Sequence, residues 1–284
     1  EGATTHPAVI EGIIKIVRGC KAHPLIGDSP AFGSAHGVAR KGGILAVAKK
    51  YDVPIAEFKT NHDGWRGDHY HTDFCNRIPV SYRKKVRRLS TITKSIHDFD
   101  IIINVPKLKA HVQLGFSGSV KNNYGFIKGK AKALRHFSVH NDITLFSLIV
   151  LSPYYRVSPE FTIVDAIEVM EERGPRGGKV TKRGLLIGGV DCIAIDTVLA
   201  ELLCCSLQDA PLLYAARRYG IDRGIDGGVT TVDGVHTKKK LQGFKLPREK
   251  APISFSAKTV IRSIFKHLYS LMGEKRIREE DEYI

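Results

Sequence analysis

Lys107, Lys109 and His111 alternate in the stretch DIIINVPKLKAHVQLGFSGSVKNNYG. On an extended backbone this spacing turns all three side chains to one side. Two ammonium groups and an imidazole gathered there would hold an anion and move a proton, with His111 as acid/base and Lys109 as electrostatic stabiliser. The loop that follows adds Gly115, Ser117, Gly118, Lys121 and Asn122. Its glycines would let backbone N–H groups approach an anion, Ser117 and Asn122 would add donors, and Lys121 a point charge. The GxxxxGK[ST] spacing of a Walker A motif is absent. A glycine-rich turn with solvated lysines fits the same residues.

Other residues could carry chemistry more loosely. Asp28, in GDSPAFGSAHG, stands where a strand runs into a loop and could orient a base, bind a metal or form a turn. His136 and His140 lie four apart, so a helix would put both on one face, within reach of one metal. His69, His71, Asp73 and Cys75 alternate and would share one face of a strand. Their donors suit zinc, iron or nickel, although a polar insertion loop accounts for them more simply. The cofactor expected is thus a metal or a phosphate-bearing molecule.

The elements that must position these residues alternate. Thr5, followed by His-Pro, caps a helix over Pro7 to Gly19; a strand ends in the Asp28 loop; a helix follows near Val38 to Lys50; VPIAEF is the next strand. DFDIIINVPKL reads as one buried parallel strand from Asp98 to Leu108. Beyond it come a helix near Asp142 to Leu151, the strands FTIVDAIEVM and GLLIGG, a helix capped by Asp191, a short helix near Ala210 to Tyr219, and late strands TTVDGV and LQGFKL. The expected fold is α/β, a mostly parallel sheet flanked by helices, with a polar insertion around residues 60–90. It forms a single domain over 1–284, with any subdivision near 95–100, and ends in an amphipathic helix and tail over 255–284.

The chain has 284 residues, 43% hydrophobic and 26% charged, with a formal net charge of +15. That composition is globular. From Lys107 to Arg135 there are basic residues and no acidic one, which suits a small anion. Further basic runs, Arg83 to Arg88 and Lys238 to Lys240, suit solubility or an acidic protein partner. Nucleic acid is disfavoured as a partner, because aromatics are only 8% and are not interleaved with the basic runs. The longest apolar run, Ile143 to Leu151, is too short to span a bilayer, so no transmembrane segment is expected. Five cysteines without a CxxC pair point to a reducing, cytoplasmic setting and to no iron–sulfur cluster ligated by this chain alone. A start at Glu1 reads as a trimmed product.

At TTHPAV, GDSP, DIIINVPKLKAH, GFSGSVKNNYG, GPRGG and GVDCIAIDTVLAELL the chain resembles a large prokaryotic family, domain-of-unknown-function family 362. The resemblance covers most of residues 3–220. It implies an anaerobic redox setting, because members often carry or neighbour a bacterial-type ferredoxin module. From Asp100 to His136 the order of strand, basic residue, His, Gly-Phe-Ser-Gly, Lys and later His is also similar to the lactate racemase family, which uses a nickel-pincer nucleotide. That resemblance implies an acid/base role for His111, an anion held by the Gly-Phe-Ser-Gly loop with Lys121, and His136 at the pocket edge. The leading expectation is a small-molecule enzyme acting on an anionic substrate or nucleotide-like cofactor by proton or hydride transfer. The alternative is a non-catalytic redox adaptor that docks an acidic ferredoxin-type protein through its basic face.

Overall fold

The structure, a computed structural model, describes residues 2–58, 68–175, 177–222 and 241–253, together with the single positions 261, 262, 265, 269 and 272. The expected TTVDGV strand, the Lys238 to Lys240 run and most of the C-terminal segment lie outside the described residues.

Helix α1 (Pro7–Gly19) starts with proline at its first turn, where the missing N–H costs nothing. Its cap is His6 and not Thr5: His6 Nδ1 accepts from Ala8 N at 3.2 Å, and Thr5 Oγ1 donates instead to Val105 O at 2.8 Å. Strand β1 (Ile26–Asp28) is followed by α2 (Ala35–Lys41) and α3 (Ile44–Lys50), then β2 (Ile55–Glu57), which pairs with β1 in parallel. One helix was expected near Val38 to Lys50. Gly42 and Gly43 divide it, and Gly43 takes the left-handed conformation.

Residues 68–89 form two helices, α4 (Asp68–Arg77) and α5 (Val80–Leu89), broken at Pro79. This overturns the strand reading of His69, His71, Asp73 and Cys75. Phe74, Ile78 and Val86 are buried and carry the helices onto the core, too sparse a pattern to stand out among the charges.

The expected strand over Asp98 to Leu108 is divided into β3 (Ile103–Asn104) and β4 (Lys107–His111). Pro106 lies at the break and has no N–H for a ladder. Then come β5 (Gly115–Ser117), a short α6 (Ser119–Asn122), α7 (Gly129–Ser138) and α8 (Ile143–Val157). Strand β6 (Phe161–Glu171), β7 (Lys179–Gly189), α9 (Cys192–Leu202) and α10 (Pro211–Arg218) complete the order. LQGFKL, described here, is not a strand.

Strand β6 organises the larger sheet. It pairs antiparallel with β7, and in parallel with β3 and then β4, while β5 runs antiparallel to β4. Parallel pairings and flanking helices make this an α/β fold, with a mixed main sheet. Helix α8 is buried from Leu145 through Val157, with α4, α5 and α10 packed against it. The larger apolar core runs through these elements; a smaller one joins Ile14, Val47 and Val53 of the first helices and strands.

Candidate functional site: a cationic cluster beside the glycine loop

The N-terminal TTHP segment is strapped to the strand that carries the lysines. His6 N donates to Asp165 Oδ2 at 2.6 Å, and Lys107 Nζ reaches the same oxygen at 2.9 Å. The second oxygen of Asp165 accepts from Ile167 N at 2.9 Å. Both side chains of the Lys107–Asp165 pair are shielded from solvent. Lys109 Nζ donates to Ala3 O at 2.7 Å. The alternation of Lys107, Lys109 and His111 therefore does not bring three like groups together. Lys107 is a buried ion pair, and Lys109 also holds the strap.

The glycine loop is already filled. Asp196 of α9 accepts from Ser119 N at 2.6 Å and Val120 N at 3.0 Å, the opening amides of α6. A Cβ at Gly118 would stand 2.3 Å from Asp196 Oδ1, and one at Gly115 would stand 2.1 Å from Asp209 O. Both glycines are thus accounted for by close approach within the chain. Burial raises the Asp196 carboxyl to about 7, against the pull of those amides. Asn122 Nδ2 donates to Asn104 Oδ1 at 2.8 Å, and Asn104 Nδ2 donates to Ser119 O at 3.0 Å. Ser117 is buried on β5, in register with Lys109.

His111, His136 and Lys121 act on one another electrostatically. His111 is buried, and its Nδ1 accepts from Gln113 N at 3.3 Å. Burial, then the charges of Lys121, Lys109 and His136, push its pKa well below the ordinary imidazole value. His136 Nδ1 donates to Ile253 O at 2.9 Å, and its ring tilts against Phe146 at 4.5 Å between centroids. Loss of hydration and then the charge of Lys121 bring it down to about 4, despite the carbonyl partner. Lys121 is half-buried and falls to about 7, through lost hydration and the charges of Lys109 and Lys132. No hydrogen bond or ion pair to its ammonium is found among the described residues.

Lys132 is the residue that sequence reasoning missed as a site member. Its Nζ donates to Ser29 O at 2.5 Å and lies 5.7 Å from the centre of the Tyr124 ring. Burial lowers it to about 8, with the Asp28 carboxylate pulling the other way. Asp28 itself accepts from Ser29 N at 2.7 Å and faces Gly125, where a Cβ would lie 3.6 Å from Oδ1. The usable signal was helical spacing: Lys132 precedes His136 by four on α7.

His136 and His140 do not share a helical face, because α7 ends at Ser138 and His140 has φ +47°. On α4, His71 turns inward: Arg156 Nε donates to its Nε2 at 3.1 Å, and Cys75 Sγ lies 3.7 Å from that nitrogen. Burial and the charges of Arg156 and Arg87 bring His71 to about 3. Asp73 points elsewhere, to Arg77 at 2.8 Å. Of His69 only the backbone in α4 is described. Among the described residues, no group of three or more His, Cys, Asp and Glu side chains is placed to hold a metal ion. No described helix is long and apolar enough to cross a membrane.

Comparison with known proteins adds a family and a relative. Residues 1–201 match the family model described as Domain of unknown function (DUF362). Over 266 residues the chain is 34% identical to Thylakoid-associated protein sll1697 of Synechocystis sp. (strain ATCC 27184 / PCC 6803 / Kazusa), covering 93% of this chain and 77% of that protein. No solved structure matches.

Proposed function

The chain belongs to the DUF362 family, and from the cationic cluster beside its glycine loop we propose that it binds a small anionic molecule at Lys121 and handles a proton on it. The observation that carries this reading is a half-buried ammonium set among Lys109 and Lys132, with no hydrogen-bond or ion-pair partner among the described residues. Such an arrangement is costly for the protein alone and is relieved by an anion. Helical N–H groups contribute little to this site, since Asp196 occupies those of α6. The binding groups are side chains.

The two neutral histidines give complementary chemistry. With Nδ1 accepting from Gln113, neutral His111 carries its proton on Nε2 and is a donor there. With Nδ1 donating to Ile253 O, neutral His136 keeps a lone pair on Nε2 and is the base. One ring stabilises negative charge, and the other takes the proton. This moves the acid/base assignment from His111 alone to the pair.

Calorimetric titration with oxalate at pH 7 tests the binding. Wild-type protein binds, and Lys121→Met weakens the affinity at least tenfold. Equal affinity in the variant, or no binding by the wild type, overturns the reading.

A further inference from the structure

We propose that two copies of this chain associate by exchanging their C-terminal helices, each helix laid on an open apolar sheet face of the other copy. The inference does not depend on the anion site. Its starting point is the unequal cover of strand β6. Thr162, Val164 and Ala166 are wholly buried on one face. Phe161, Ile163 and Asp165 alternate with them and point to the other face. There the N-terminal strap shields Asp165, but the start of the strand stays open. Phe161 is 40% exposed. Ile101, two residues before the Ile103 that pairs with Phe161, is more than half exposed, while Ile102 between them is buried. On β7, Leu186 stands opposite Asp165, and Val190 follows the strand end; both are more than half exposed. Gly188 lies between these two, and a Cβ there would stand 3.2 Å from the Phe161 ring, so the ring lies on this same face. Four large apolar side chains are thus gathered at one end of the sheet in contact with water, and such a patch marks an interaction surface.

The same chain carries a second uncovered apolar surface. Positions 261, 262, 265, 269 and 272 are helical. At 3.6 residues per turn, Ile261, Phe265, Tyr269 and Met272 fall within about 80° of one another around the helix, and Arg262 falls outside that arc. All four apolar side chains are more than half exposed. A sheet face and a helix stripe are the two layers that an α/β protein ordinarily packs together. Within one chain both face solvent, so the cover that each lacks comes from another copy.

Charge selects the exchange over other pairings. In a chain of net charge +15, the open end of the sheet is bordered by exposed acids: Asp98 and Asp100 precede Ile101, and Glu160 precedes Phe161. From residue 251 to residue 273 the sequence holds no acid and carries Lys258, Arg262, Lys266 and His267. Arg262 is exposed beside the stripe. Two sheet faces stacked on each other would set acid against acid, and two stripes would set cation against cation. Helix on sheet brings opposite charges together. A two-fold axis then makes the contact twice and closes the pair, leaving no open face for a third copy.

Analytical ultracentrifugation of the full chain at micromolar concentrations tests this. Wild-type protein is expected to sediment as a dimer. Leu186→Lys on the sheet and Phe265→Asp on the stripe should each weaken association by at least about tenfold, as loss of a central apolar contact does. Both positions are exposed, so urea midpoints should stay at the wild-type value. An equimolar mixture of the two variants is the decisive sample. The mixed pair keeps one native contact and sets Lys against Asp in the other, so it should associate more tightly than either variant alone. A monomeric wild type overturns the exchange, whether its helix folds back on its own sheet or the monomer sediments with vesicles of anionic lipid. A dimer that only one of the substitutions weakens, or a mixture no tighter than its components, overturns it as well.

Discussion

Lys107 and Lys121 are the same residue type on either side of one glycine loop, and their surroundings make them opposites. Lys107 faces a buried carboxylate, and its removal strands Asp165 with only the backbone amides of His6 and Ile167. Lys107→Met is expected to cost about 3–5 kcal/mol of folding stability, the usual consequence of breaking a buried ion pair. Urea unfolding measures it, and a cost under about 1 kcal/mol would contradict the pairing. Local spacing could group Lys107 with Lys109 and His111, but the partner that decides its role is on β6, a different strand. The same limit hid Lys132, whose place in the cluster depends on Asp28 and Ser29 of the β1 loop. By contrast, Lys109, His111, Lys121 and Asp28 stand out as candidates in the sequence because strand ends and basic runs without acids concentrate charge locally.

At the scale of elements, the loop between β5 and α6 is built by α9. Gly118→Ala would drive a Cβ into Asp196 Oδ1, and overpacking of this kind costs about 1–3 kcal/mol. The variant is expected to unfold at lower urea by that amount. Asp196→Asn, which keeps the shape, should not rescue it; a rescue would show that charge and not space is the constraint. Elements with local signals were legible from the chain. α9 is announced by Asp191, which accepts from Ile193 N and Ala194 N at 2.8 Å, and α8 by Asp142, which accepts from Leu145 N at 2.9 Å. The α4–α5 pair was not legible, because its burial depends on α8, with which both pack. Alternation of His69, His71, Asp73 and Cys75 matched a strand only by coincidence of spacing. In the helix it is His71 and Cys75, four apart, that meet.

For the whole molecule, the buried titratable groups set an acid limit. His71 at about 3, His136 at about 4 and His111, well below its ordinary value, stay neutral when folded, whereas the unfolded rings take up protons near 6.5. Below that pH the unfolded chain therefore binds more protons, and stability falls as pH falls. Asp196 acts in the other sense. Its folded carboxyl keeps a proton up to about 7 and its unfolded one loses it near 3.8, so over that interval acid favours the folded state by one proton. The lowered histidines outnumber the raised aspartate, so stability should fall as the pH drops from 6.5 towards 4. Urea unfolding at successive pH values checks this, and a flat profile would mean that the rings are solvated.

The carboxylate of Asp196 at the opening of α6 has a thermodynamic consequence for ligand capture. Many glycine loops become ordered only when a phosphate arrives, and part of the binding energy is lost to that ordering. Here the counter-ion is intramolecular, so the loop is shaped whether or not the site is occupied. The anion proposed for Lys121 would meet a backbone whose entropy has already been surrendered during folding. Its affinity then reports side-chain contacts, and its heat capacity of binding should lack the signature of a segment that folds on contact.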